Sequence, residues 1–316
     1  MSLYEKRDLK PMLLSEKKEP FDSTDFIYEL KLDGIRCLAF VSPGEADLRN
    51  KRGLSLLAPF PELRAISACV DQSCVLDGEL IVMTDGRVDF EAVQSRALKS
   101  ATNKIELASR LHPASYVAFD ILHCAGRDLI DEPLLERKAV LAKAVRENGT
   151  AAVSRWVERQ GKAFFDLTHA QGLEGIVAKR IDSLYHPGKT TKDWLKIKNL
   201  IDEDFVSCGY IEKGEGVVSL ILGQYAGREL VYQGHVTLGV TMGKIAGFPL
   251  SSRAPTGIPP QEGAKWFRPM QVVTVTYMER TRSGGMRQPR LKAFRNDKGI
   301  YDCTVNQRGS EKGAQQ

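Results

Sequence analysis

Glu29-Leu30-Lys31-Leu32-Asp33-Gly34-Ile35-Arg36 sets a lysine between an apolar run beginning at Phe26 and another reaching Phe40 and Val41. Asp-Gly favours tight turns, so the pattern predicts two strand segments flanking Asp33-Gly34, with Lys31 at the rim of a sheet. An amine held there is placed to act as a covalent nucleophile. At its ordinary pKa lysine is protonated and inert, so nucleophilic use needs nearby cations, a metal or a dry pocket to favour the neutral amine. Taken alone, Lys-x-Asp-Gly also describes a solvated hairpin lysine.

What separates the two readings is the order of the segments that follow. Leu76-Asp77-Gly78-Glu79 comes first, then Phe119-Asp120, Glu174-Gly175-Ile176-Val177-Ala178-Lys179, Trp194-Leu195-Lys196-Ile197-Lys198 and Arg295-Asn296-Asp297-Lys298. In order and separation this series resembles the motifs of the covalent nucleotidyltransferases, the superfamily of ATP-dependent DNA ligases, RNA ligases and messenger-RNA capping enzymes. The resemblance covers residues from Pro11 to Asn306. It is nearest to the small bacterial ATP-dependent DNA ligases of the ligase C and ligase D type, linked to end joining and repair. The stretches that carry it are residues 76–82, Pro133-Leu134-Leu135-Glu136-Arg137-Lys138, residues 172–180 and Arg287-Gln288-Pro289-Arg290.

The 316 residues are about twice a typical domain, so two domains are expected. Hydrophobic and charged fractions of 42% and 27% are those of an ordinary globular protein, and no apolar run is long enough to span a bilayer. The first ten residues carry mixed charge without an apolar stretch, so cytoplasmic residence, close to the nucleoid, is the expectation. Six cysteines show no Cys-x-x-Cys pair, which indicates neither a zinc site nor a disulfide framework. Net charge is +5, and its excess is C-terminal: from Asp202 onward 15 Lys and Arg face 11 Asp and Glu. Between Glu279 and Lys298 stand Arg280, Arg282, Arg287, Arg290, Lys292, Arg295 and Lys298, either a solvated loop face or a phosphate-facing patch.

A boundary is expected near Leu200. Before it, residues 134–147 and 162–171 carry helical apolar spacing, with Gly149 and Gly172 as stops, and Asp89 caps a helix running to Leu98. After it, residues 205–211, 217–225, 229–237 and 272–278 read as strands joined by Gly-rich turns. About five short strands suggest a small barrel, and the resemblance implies an OB-fold there. The fold class is therefore α+β: an adenylation domain of antiparallel sheets and helices over residues 1–200, an OB-fold β-barrel over 201–307, and a disordered tail over 308–316. Residues 249–260, with four prolines, read as a rigid surface loop.

Residue chemistry and resemblance then assign roles. Lys31 would attack the α-phosphate of ATP, expel pyrophosphate and hold AMP through a phosphoramidate bond. Phosphoryl transfer of this kind rests on positioning and charge neutralisation. Lys196 and Lys198, two apart in a strand, share a face and suit that neutralisation, while Leu195 and Ile197 turn to the core. Carboxylates near phosphates suit Mg²⁺, with Mn²⁺ able to substitute; the resemblance implies Glu174 as metal contact and Glu79 as ribose or metal contact. It also implies Phe119 stacked on adenine and Glu29 accepting from the adenine N6 amine, which guanine lacks. Arg36 and Lys179 complete the phosphate and ribose contacts, Leu30 and Arg52 are further nucleotide contacts, and Arg295 and Lys298 grip the leaving phosphates in a domain that closes and then swings away about Leu200. AMP would pass to the 5′-phosphate of a nick, and the 3′-hydroxyl would displace it.

One motif departs from the family. Asn50-Lys51-Arg52-Gly53 stands where Ser-Arg-Asn-Gly is common, and lysine cannot make the bidentate phosphate contact of a guanidinium. Grip on the nick 5′-phosphate then rests on Lys51, or on Arg49 or Arg52 in its place. Thirty residues precede Lys31, too few for the helical DNA-binding domain of larger ligases, and no long insertion interrupts the barrel. Modest unaided affinity for nicked or broken duplex DNA, a repair or end-joining recruitment partner and a monomer are expected. An RNA ligase or capping-type enzyme shares the lysine chemistry and stays open. A non-catalytic nucleic-acid binder would have no reason to keep Lys31, Glu174, Lys196 and Lys198 together.

Overall fold

A computed structural model of the chain describes residues 1–281 and 284–305. It divides into two compact units, one over Met1–Asn199 and one from Leu200 onward. The fold class is α+β, as expected: sheets with packed helices, then a small barrel.

The first unit is built on two sheets. A seven-stranded sheet has Glu45–Asn50, Ile35–Ser42, Cys74–Thr84, Ala114–Cys124 and Arg127–Asp128 as its main path. A five-stranded sheet runs Leu13–Glu16, Thr190–Lys198, Gly175–Arg180, Phe26–Leu30 and Trp156–Glu158. The run at residues 37–41 is apolar throughout because both of its faces are buried. Cys37, Ala39 and Val41 join an outer core with Leu63, Ile66 and Leu141, whereas Leu38 and Phe40 join Ile27 and Trp194 in the core between the sheets. The outer face of the smaller sheet, with Tyr28, Ile176 and Ile197, packs on Phe164 and Phe165 of the helix Gly161–Ala170.

The segments flanking Asp33-Gly34 are strands, but they are not the arms of one turn. Phe26–Leu30 pairs with Gly175–Arg180 and Trp156–Glu158, while Ile35–Ser42 pairs with Glu45–Asn50 and Cys74–Thr84. Residues 31–34 therefore cross from one sheet to the other and carry Lys31 between them. Close packing requires glycine at the end of this crossover, since a Cβ on Gly34 would lie 2.1 Å from the Leu80 carbonyl oxygen.

The helix expected over 134–147 spans Leu134–Ala144, ending before Gly149 because Val145 is already extended. Asp89 caps Phe90–Ala97 by accepting from the Ala92 amide at 2.9 Å. A helix at Thr102–Leu111 has no counterpart among the sequence expectations because none of its residues is fully buried, which leaves its apolar period weak.

In the second unit Glu229–Val236, Val218–Ala226, Ile201–Glu212 and Ala264–Tyr277 are neighbours in that order, and Arg290–Arg295 pairs with the last of them. A bridge between Leu238 and Arg290, with the Leu291 amide 2.8 Å from the Leu238 carbonyl, returns the sheet to its first strand. Closure of this kind removes free edges and gives the OB-type barrel. Residues 249–260 are more than a surface loop: Leu250–Ser251 pairs with Trp266 and Phe267, and Ile258 is buried. The predicted tail at 308–316 and Arg282 lie outside the described residues. The six cysteines are free, and no helix among the described residues is long and apolar enough to cross a membrane.

Candidate active site

The crossover sets the Lys31 amine 2.8 Å from Glu174 Oε2, and its backbone amide donates to the Gly175 carbonyl at 2.9 Å. Glu174 opens the Gly175–Arg180 strand. Gly175, at φ +131°, lets that strand meet its neighbour; a Cβ there would lie 2.2 Å from the Ile197 carbonyl oxygen. Lys198 Nζ approaches Glu174 Oε1 at 4.0 Å, and Lys196 Nζ lies 3.7 Å from Glu16 on the adjoining parallel strand. Trp194, Lys196 and Lys198 share one face of their strand. Lys31 and Lys198 thus flank Glu174, Lys196 turns to Glu16, and Lys31 also lines a recess with Leu30, Arg36, Glu79, Phe119, Val177 and Lys179.

Deeper in, Phe119 is 9% exposed and meets Trp194 edge-on, with ring centroids 6.4 Å apart. The Arg36 guanidinium and the Lys179 ammonium lie 4.4 Å and 4.2 Å from the Phe119 ring centre. Arg36 is also bidentate to Asp77, at 2.6 Å for both contacts, and Tyr185 donates to the same carboxylate at 2.7 Å. Glu29, 2% exposed, ion-pairs with Lys138 through Oε1, while Oε2 takes Lys179 at 3.0 Å and the Ser154 hydroxyl at 3.2 Å. Asp77 and Lys138 fall inside the sequence motifs. Ser154 and Tyr185 carry no sequence signal.

Burial sets the electrostatics. It pushes the Glu79 carboxyl up to about 7, with Arg36 and Lys31 opposing and Glu174 and Asp77 adding to the rise. It raises Glu174 as well, against Lys31. It pulls Lys179 down to about 8 against the attraction of Glu29, and lowers Lys198. For Glu29, burial acts upward, but Lys138 and Lys179 outweigh it and hold the carboxyl below its usual range. Two neighbouring carboxylates, both raised, form a site whose charge a divalent cation would relieve, so Glu79 and Glu174 fit the expected Mg²⁺.

Because the folded-state pKa of Glu79 lies above its ordinary 4.5, stability from its protonation is present below 4.5 and lost as pH rises through about 7. In EDTA the Glu79→Gln protein should melt higher than wild type at pH 8, with little difference at pH 5, and Mg²⁺ should narrow the pH 8 gap. Equal melting of the two proteins at pH 8 would refute this.

Lys51 and Arg52 are exposed in a turn where the Asn50 side chain accepts from the Arg52 and Leu54 amides, whereas Arg49 is tied to Asp47 at 2.9 Å and to the Arg7 carbonyl. In the second unit the basic run does not form one unpartnered patch. Arg280 pairs with the buried Glu203 at 3.0 Å, Arg287 with Glu279 at 3.0 Å, and Lys292 with Asp202. Arg295 is bidentate to Asp297 at 2.7 and 2.5 Å, Lys298 meets Asp204 at 2.5 Å, and Arg290 is exposed. Three of these acidic partners, the consecutive Asp202, Glu203 and Asp204, come from the Ile201–Glu212 strand, a pairing that sequence spacing could not reveal.

A family model described as the ATP dependent DNA ligase domain matches residues 11–198, and one described as the ATP dependent DNA ligase C terminal region matches 213–298. The chain belongs to the ATP-dependent DNA ligase family. Among the ligases it resembles, DNA ligase C1 of Mycolicibacterium smegmatis is 35% identical over 235 residues, 71% of this chain and 67% of that protein. The multifunctional non-homologous end joining protein LigD of Pseudomonas aeruginosa is 31% identical across 94% of this chain, which spans 36% of that protein. A solved structure of mycobacterial DNA ligase D complexed with ATP and MES matches with a TM-score of 0.56 at 27% identity, over 94% of this chain and 98% of that one.

Proposed function

We propose that this ligase joins 3′-hydroxyl and 5′-phosphate ends in duplex DNA through a lysyl-AMP at Lys31, in end joining or repair, as a DNA ligase (ATP). The observation that carries the reading is Lys31, which lines the recess, held on Glu174 with Lys198 on the other oxygen of that carboxylate. Lys31 attacks the α-phosphate; the N–P bond forms as the bond to pyrophosphate breaks. Glu174, 2.8 Å away, orients the amine and is placed to take its proton, and Lys196 and Lys198 neutralise charge on the non-bridging oxygens. Leu30, Glu29 and Phe119 hold the base side of ATP, joined there by Lys179, which meets Glu29 and the Phe119 ring rather than the ribose and phosphates expected from the sequence, with Arg36, Arg52 and Glu79 toward the ribose and phosphates. Arg295 and Lys298 are assigned to the leaving pyrophosphate. Glu79 and Glu174 would hold Mg²⁺, or Mn²⁺ in its place, which supplies further neutralisation of phosphate charge. Arg49, Lys51, Arg280, Arg282, Arg287 and Arg290 are the candidates for DNA contact, Lys51 being favoured over Arg49 by its exposure. In this reading the adenylation domain runs over 1–200 and the barrel over 201–307, the protein is a cytoplasmic monomer, and a recruitment partner brings it to DNA ends.

Incubation with α-labelled ATP and Mg²⁺, followed by nicked duplex, tests the whole sequence. The protein should take up label and then lose it as the nick is sealed. Label that persists with nicked DNA but chases onto nicked RNA would move the reading to an RNA ligase.

A further inference from the structure

The stretch Pro133–Lys138 stands out in the sequence, yet the adenylation chemistry uses none of it. Arg137 and Lys138 are consecutive in the helix Leu134–Ala144, and they are 0% and 5% exposed. Successive helical residues point about 100° apart, so the two reach different neighbours. Arg137 is bidentate to Asp120, next to Phe119, at 2.9 and 2.8 Å. Lys138 ion-pairs with Glu29. One helical turn therefore holds the backbone beside the aromatic ring and the carboxylate, the two groups assigned to the purine.

We infer that Lys138 is a positioning residue for nucleobase selection, its ammonium fixing the orientation in which the Glu29 carboxylate accepts from the 6-amine of adenine. The inference rests on the reading that Glu29 meets the base. Neutralising the Glu29 charge does not by itself require Lys138. Lys179 already lies 3.0 Å from Oε2, although its ammonium is shared with the Phe119 carbonyl at 3.5 Å and with the Phe119 and Trp194 rings at 4.2 Å each. Lys138 adds an ion-pair contact on the opposite oxygen, Oε1, without hydrogen-bond geometry, and Ser154 adds a hydrogen bond on Oε2. A carboxylate hydrogen-bonded at Oε2 and ion-paired at Oε1 is held against rotation, and the lone pairs of Oε1 keep one direction. Held ionised, it has no proton to donate, so the 6-oxo group of guanine would meet an acceptor with an acceptor, both buried and unpaired. Discrimination of this type is large because a site built around a hydrogen bond penalises the ligand that cannot make it.

The test compares self-adenylation or self-guanylation of the full chain with ATP, GTP and purine riboside triphosphate, which lacks the 6-amine. Wild type, Lys138→Met, Lys138→Arg and Glu29→Gln are each measured for KM and for maximal rate. With ATP, Lys138→Met should raise KM about tenfold, change the maximal rate little and narrow the ATP preference over GTP by a similar factor. With purine riboside triphosphate it should match wild type, because the bond it supports is already gone. Lys138→Arg should restore most of the preference. An equal loss on ATP and on the analogue, or an unchanged preference, would overturn the inference. If Glu29→Gln also leaves the preference unchanged, the base-recognition reading fails with it; if only Lys138→Met is silent, that reading survives without Lys138. Should Lys138→Met not fold, Lys138→Gln takes its place: a narrowed ATP preference supports the role of Lys138, and an unchanged one overturns it.

Discussion

The Lys31→Ala protein should acquire no label from α-labelled ATP under any divalent ion, and its sealing of ordinary nicks should fall to background. Loss of a covalent nucleophile removes the only atom able to hold the intermediate, and losses on the order of 10⁴-fold or more are usual. The substitution should cost little stability. Lys31 is only partly buried, and its loss leaves Glu174 facing Lys198 at 4.0 Å rather than without a cation. A nick already carrying 5′-adenylate gives the sharper measurement. By that stage AMP has left the lysine, so Lys31→Ala should still seal it at a rate within about tenfold of wild type. Label on the Lys31→Ala protein would sink the assignment. Loss of sealing on the adenylated nick would instead show that Lys31 acts beyond the first step.

Arg137→Met should destabilise the first unit by about 3–5 kcal/mol, read as the shift in its denaturant midpoint. Both members of the Arg137–Asp120 pair are 0% exposed in their side chains. Besides Asp120, the guanidinium donates to the Glu132 carbonyl at 2.5 Å and to the Ser183 carbonyl at 2.9 Å. Removing it leaves a buried carboxylate without its cation and two carbonyls without their donor, and such uncompensated groups set the size of the loss. Replacing Asp120 by Asn in the same chain should recover part of it, because the stranded charge goes too. A loss under about 1 kcal/mol for the single variant would mean that water reaches Asp120 or that another cation replaces Arg137.

The parts of this ligase legible in the sequence are those decided by local geometry. Period-two alternation put Lys196 and Lys198 on one face, Asp89 announced a helix start, and the order of the lysine and carboxylate motifs pointed to the family. The segments at 26–30 and 35–42 were recognisable as strands because a short apolar run on each side of a turn signal belongs to the segment by itself. Which sheet each joins was not, and Asp33-Gly34 suggested a hairpin where the chain instead crosses between sheets. The basic run after Glu279 gave the same lesson. Its charges were countable, but partners such as Glu203 and Asp204 lie about 75 to 95 residues away in sequence.

From the sequence alone came the lysine proposed as nucleophile, the two-part organisation and the family, since periodicity and motif order depend on neighbours along the chain. Only the tertiary structure placed Lys31 beside Glu174 and set Lys138 and Lys179 on either side of Glu29. Pairing of that kind depends on which strands and helices become neighbours, and that follows from burying both faces of the sheets at once, a condition no single segment encodes.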